Sequence, residues 1–159
     1  MANYIYPAPG VTSSEATLAI EINADSSNDS LAVPSLQDIT VNNSNDVFTW
    51  TQLDETAKKQ VATTSTNSIA MNLVVEQESF FGDGTSSAGT ASLKGIFGMS
   101  KDKDLVDFTL FLGKESDGTA GKTITGSGYI TGLAPTTSAD APVWVTPITI
   151  TVTGEYTVS

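Results

Sequence analysis

The chain has 159 residues, 39% hydrophobic and 16% charged, with 18 acidic side chains against 7 basic ones and a net charge of −11. That length favours one domain with a real core, and the composition is too apolar for a disordered chain. The sequence contains no His and no Cys, which excludes disulfides, thiolate nucleophiles, imidazole acid–base chemistry and most zinc or copper sites. All seven basic residues are Lys; without the forked guanidinium of Arg, and with so negative a chain, a firm grip on nucleic acid is not expected.

The first stretch, "MANYIYPAPGVTSS", has two prolines and no period. It reads as an extended arm over residues 1–14, ahead of a single domain over 15–159. It shows neither a positive start nor an apolar core, so no signal peptide is expected, and no apolar run approaches the ~20 residues of a membrane span. "EATLAIEI" alternates, with Leu18, Ile20 and Ile22 on one side and Glu21 on the other, the pattern of a half-buried strand. "LAVPSLQDITV" is a second extended stretch, interrupted at Pro34. "NNSND" at 42–46 reads as a turn, and "VFTWTQL" as a strand with Phe48 and Trp50 opposite Val47 and Thr49. Asp54 is placed to cap one helical turn in "DETAKKQ".

"IAMNLVVEQES" reads as a strand with Ile69, Met71, Leu73 and Val75 inward and Glu76 and Glu78 outward. "TASLKGIFGMS" is the one helix expected, its stripe formed by Leu93, Ile96, Phe97 and Ser100, with Gly95 and Gly98 each costing roughly 1 kcal/mol against Ala. "LVDFTLFLG" is a strand with Val106, Phe108, Leu110 and Leu112 inward. "TITGSGYITGL" is another, whose Gly126 and Gly128 permit a bulge or a close backbone approach. "VWVTPITITVTG" puts Trp144, Ile148, Ile150 and Val152 on one face. Seven to nine strands and one helix predict a mainly β protein, two packed antiparallel sheets with a flanking helix.

The candidate chemistry is sparse. Glu76 and Glu78, two apart on a strand, could share a proton or a divalent ion, although a solvated strand face is the commoner use of such a pair. "DSSNDS" and "DKD" are oxygen-rich but lack the Gly and terminal Glu of a calcium loop. "GDGTSSAG" lacks the Gly-Lys-Ser/Thr ending of a phosphate loop, and the bare "GKT" after Gly121 enters a strand rather than a helix. The serines have no His or Ser-Lys partner. No catalytic, cofactor or metal site is expected, and the chain does not read as an enzyme.

The order of elements carries more information. A "SLQDITV" stretch, a Gly/Ser/Asp loop, one helix "TASLKGIFGM", the strand "DFTLFL" and the closing "GSGYITGLAPTTSADAPVWVTPITITVTGEYTV" together resemble the major tail proteins, or tail tube proteins, of long-tailed bacteriophages. The last ~35 residues carry most of the motif likeness. The resemblance implies a β-sandwich or barrel-like fold with a flanking helix, hexameric rings stacked into a tube, and a virion location after assembly in the bacterial cytoplasm. It implies as partners other copies of the chain, tape measure and tube-capping proteins, and double-stranded DNA in transit without specific binding, with no membrane and no cofactor.

Within that reading, Glu21, Glu76 and Glu78 are candidates for an acidic lumen that does not trap DNA. Tyr4, Tyr6, Asp83, Gly84, Glu155 and Tyr156 are candidates for contacts between subunits, and the final "TGEYTV" strand is expected to pair with a neighbouring copy. The competing expectation is a carbohydrate-binding or adhesive β-sandwich, with Trp50, Trp144, Tyr129 and Tyr156 as a sugar platform.

Overall fold

Period-two alternation decides which side of each strand is buried. The computed structural model describes residues 5–6, 16–24, 29–33, 36–82, 90–115, 121–140 and 142–159. The strands are β1 (Ile5–Tyr6), β2 (Thr17–Ile22), β3 (Leu31–Val33), β4 (Leu36–Thr51), β5 (Lys58–Val74), β6 (Leu105–Phe111), β7 (Lys114–Glu115), β8 (Thr123–Thr131), β9 (Val145–Val152) and β10 (Thr157–Val158). Two helices, α1 (Gln77–Phe81) and α2 (Ala91–Asp102), lie between β5 and β6. Pro34, Asp83 and Gly84 fall outside the described residues, as do Tyr4 and most of the expected arm.

The mainly antiparallel β architecture with a flanking helix is as expected. Its main strands form one hydrogen-bonded path, β3-β2-β6-β8-β9-β5-β4, with β10 added on β8, while β1 and β7 pair separately. Laid flat, so many strands would span roughly 30 Å, more than a 5-residue and a 12-residue helix can cover. Yet Leu18 and Ile20 of β2, Phe108 of β6, Ile130 of β8, Ile150 of β9 and Ile69 of β5 all belong to one buried cluster. The sheet therefore curls around its core, and the layering comes from one sheet folded over, closed on the inside by Phe80, Ala91, Ile96 and Met99 of the helices.

Helix α2 differs from its predicted stripe. Its buried residues are Ala91, Gly95, Ile96 and Met99, while Phe97 is 42% exposed. The cause is Gly95, whose φ of 67° and ψ of 178° break the helix into two short pieces. Thr90 at its N-cap position makes no side-chain cap. Asp29, from the β2–β3 connection, supplies one instead: Ser92 N donates to Oδ2 at 2.9 Å and Ser92 Oγ to Oδ1 at 2.8 Å. From the C-terminal end and just past it, Asp102 and Asp104 reach back to Lys94 of α2, whose Nζ donates to Asp104 at 2.7 Å and meets Asp102 at 3.0 Å, so the "DKD" carboxylates serve a lysine rather than a metal loop. The Asp104 bond, ahead of the Asp102 one, raises the Lys94 pKa against the opposing effect of burial. Replacing Asp29 by Ala is expected to cost about 1 kcal/mol, readable in a denaturant melt with an unchanged slope.

Three further expectations change. Residues 42–46 are strand, not turn: β4 runs unbroken to Thr51 and pairs with β5 throughout, with register shifts at Leu36/Asp38 and Asn45/Val47. Asp54 starts no helix; it lies in the turn at the tip of this hairpin. The final strand finds its partner inside the chain, with Thr157 opposite Thr125 and Val158 opposite Ile124 of β8.

Candidate assembly surfaces

A two-stranded ribbon arises because β5 outruns its neighbour. β5 pairs with β9 only as far as Ser68 opposite Thr151. From there to the tip it pairs with β4 alone, down to Lys58 opposite Thr51. Such a ribbon is marginal in water by itself, and this one carries apolar groups on both faces. Phe48 stands opposite Val61 and stacks on Trp50, with ring centroids 5.9 Å apart; Val47 stands opposite Ala62 on the other face. Phe48 is 59% exposed, Val47 51% and Val61 49%. Thr63 and Thr64 donate to Asp46 O and Oδ2 at 3.1 and 3.0 Å and so hold the bulge. At the tip Lys59 reaches Glu55 at 2.9 Å and Gln52 at 2.7 Å. The outer backbone edge of β4 meets no strand among the described residues, an open template for pairing with another chain.

The outward side of the curled sheet is a second surface. Thr17, Thr109, Thr123, Thr125, Thr149 and Thr151 lie on it, and the register joins Thr17 to Phe111, Thr109 to Thr125, and Tyr129 to Thr151 across the strands. Short of the ribbon tip, its charged members among the described residues are acids: Glu21, Asp107 and Asp38. No lysine lies on this side of β2, β6, β8 or β9; Lys59 reaches it only at the ribbon tip, opposite Trp50, while Lys58 is beside it there, Lys94, Lys101 and Lys103 are in and after α2, and Lys114 and Lys122 are between β6 and β8. Glu21 faces Asp107 directly across β2 and β6, a repulsive pairing. Asn23 Nδ2 relieves it by donating to both Asp107 oxygens at 3.1 and 3.0 Å, and Ser127 Oγ donates to the same carboxylate.

The remaining predicted site residues disperse. Glu76 is not on a strand face. It caps α1, its carboxylate accepting from Ser79 Oγ at 2.6 Å, Ser79 N at 3.0 Å and Glu78 N at 3.4 Å. Glu78 lies exposed in the first turn of α1. The Ser79 hydroxyl first, and then its amide, hold the Glu76 pKa below its ordinary 4.5. The folded state therefore favours the carboxylate, so this contribution is complete above the ordinary value and disappears as pH falls through the lower folded value. Acidification is expected to lower the protection of the Ser79 amide, relative to its free-chain exchange rate at the same pH, in that window before the sheet amides respond.

Tyr156 turns inward, its ring edge-on to Phe108 at 6.3 Å, while Glu155 is exposed. Tyr6 contributes a backbone pairing with Lys114. Trp144, read on the inward face with Ile148 and Ile150, is 53% exposed, because it precedes β9 and the strand's alternation does not reach it; its carbonyl accepts from Val75 N at 2.8 Å. With Tyr156 inward and Trp50 out on the ribbon, the four aromatics form no platform. Sequence reasoning missed the ribbon; its signal was that residues 36–74 contain neither Gly nor Pro, so no turn breaks them at 42–46.

Comparison with solved structures decides the fold. The chain superposes on a chain from the tail of an empty GTA (gene transfer agent) particle with C6 symmetry at a TM-score of 0.61, with 12% identity, covering 89% of this chain and 95% of that one. It is a tail-tube fold. A chain from the six-fold symmetrised baseplate of the anti-feeding prophage gives a TM-score of 0.63 at 10% identity, with 96% of each chain covered. One from the sheath-tube complex of the PVC extracellular contractile injection system gives 0.56 at 15% identity, covering 95% of this chain and 91% of that one. No protein-family model matches the chain, and no curated protein matches it by sequence. The tail-tube fold is thus kept while nearly all side chains differ, as expected when alternation and burial, not particular residues, specify a sheet.

Proposed function

We propose that the chain is the structural subunit of a phage tail tube, assembling through copies of itself into stacked hexameric rings that form a conduit for DNA. The observation that carries this reading is the β4–β5 ribbon, which has apolar groups on both faces and an outer edge unpaired among the described residues. Other copies are its natural cover, and a head-to-tail contact of this kind closes into a ring or continues as a tube. Solved relatives of the same fold in six-fold particles support it. The role is structural rather than enzymatic, the location is the virion, and the tube ends are where tape measure and capping proteins would bind.

The outer face of β2, β6, β8 and β9, which carries no lysine, is the proposed bore. DNA carries one charge per ~1.7 Å of axis, so a wall of hydroxyls with scattered acids lets it slide. Glu21 stays a lumen residue in this reading and Asp107 joins it; Glu76 is committed to its helix cap. The test is assembly followed by a DNA retention assay. Wild-type tubes should release linear duplex freely, whereas tubes carrying Thr109→Lys and Thr151→Lys should retain it in a salt-dependent way. Wild-type protein that forms no tubes, or lysine variants that release DNA as readily as wild type, would contradict the proposal.

A further inference from the structure

Between β9 and β10 the chain leaves the line of the sheet. Val152 is opposite Gly128 and Thr157 opposite Thr125, so residues 153–156 stand against only 126–127. The excursion begins with Thr153 N donating to Ser127 O at 2.7 Å. It then crosses to the root of the ribbon, the place where β5 loses β9. There Tyr156 Oη lies 2.9 Å from Asn42 O of β4 and 2.8 Å from Ser68 O of β5. Having one proton, it donates to one carbonyl at a time while staying in reach of both. Asn67 Nδ2 donates to Gly154 O at 2.9 Å. Asn67 is 3% exposed and its Oδ1 has no partner among the described residues, so the side chain contributes through the bond its amide donates.

We propose that Tyr156 and Asn67 latch this excursion to both strands of the ribbon root and so fix the angle at which the ribbon leaves the sheet, making Tyr156 a positioning residue for assembly. The inference rests on the ribbon being the contact between copies. Its physical basis is leverage. The roughly ten residues per strand beyond the root make an arm of ~35 Å, so a 10° change at the root moves the tip by about 6 Å, enough to take a packed aromatic out of its seat. From Ser68 to the tip β5 pairs among the described residues only with β4, and β4 is itself an edge strand among them.

Tyr156→Phe tests it. The variant keeps the ring against Phe108 and loses the hydroxyl. Expected are faster amide exchange confined to residues 42–45 and 65–68 and a critical concentration for assembly raised roughly fivefold, the scale of one hydrogen bond. Asp29→Ala, which weakens the α2 cap far from the root, is the control. It should lower stability comparably and leave both readouts at their wild-type values. Unchanged root exchange in Tyr156→Phe, or assembly that falls equally in both variants, overturns the latch. If wild-type protein forms no tubes, the tube reading fails instead, and the exchange experiment still decides whether the latch exists.

Discussion

Serine at both Phe48 and Trp50 should abolish tube formation while moving the melting temperature of the subunit by only about 2–4 °C. The small thermal effect follows from exposure. Phe48 and Trp50 are 59% and 37% exposed and stack on each other rather than on the core. Each such surface change stays within about 0.5 kcal/mol, so the pair costs up to about 1 kcal/mol, which for a chain of this size is about 2–4 °C. The large assembly effect follows from the same geometry in reverse. Aromatic anchors at the centre of an interface contribute about 2 kcal/mol each, so losing two raises the critical concentration roughly 10³-fold. Calorimetry and sedimentation of the same preparations separate the two effects. Wild-type tubes from the double variant would show that the ribbon face is not an interface.

A large loss of stability from a single methyl group is expected at Gly95. Its φ of 67° and ψ of 178° lie in a region that L residues avoid. A Cβ there would lie 2.3 Å from Gly82 N and 2.6 Å from Phe80 O. Both obstacles are backbone, so no side-chain rotation relieves them. Gly82, with φ of 76°, has the mirror problem, its Cβ falling 2.1 Å from Leu93 O. The end of α1 and the middle of α2 therefore cross in direct backbone contact, with Phe80 and Ile96 buried beside the crossing. Gly95→Ala should cost about 3 kcal/mol or more, a fall of roughly 6–12 °C in melting temperature. Gly98→Ala is the control: that residue is helical and its Cβ would meet only the Lys94 side chain, at 3.0 Å. Equal effects at the two positions would refute the crossing.

The same crossing explains why α2 was legible in place but not in phase. A helical stripe assumes a constant turn per residue, and Gly95 resets it, exposing Phe97. Strands β2, β6 and β9 could be read directly because one face is buried and the other wet, so Leu18, Phe108 and Ile150 fall at regular intervals. The ribbon gives no such signal: both its faces are exposed, and Thr, Ser and Asn alternate with nothing. Glu76 and Glu78 continued the alternation of β5 on paper. In the structure the Glu76 carboxylate binds the amides that follow it and starts a helix, a use of Glu that capping preferences rank behind Ser, Thr, Asp and Asn. The Tyr156 bond to Asn42 joins residues 114 apart in sequence, and no local pattern announces such a contact.

In the proposed tube the β4–β5 ribbon is covered by sister chains, leaving the outer face of β2, β6, β8 and β9 around a central channel. A three-dimensional reconstruction of the assembled protein by electron cryomicroscopy tests it most directly. Expected are rings in which Phe48, Trp50 and Val47 are buried against neighbours while Thr109, Thr151 and Glu21 border the channel. A reconstruction in which the ribbon stays in solvent, or in which the helix lysines line the channel, would contradict it.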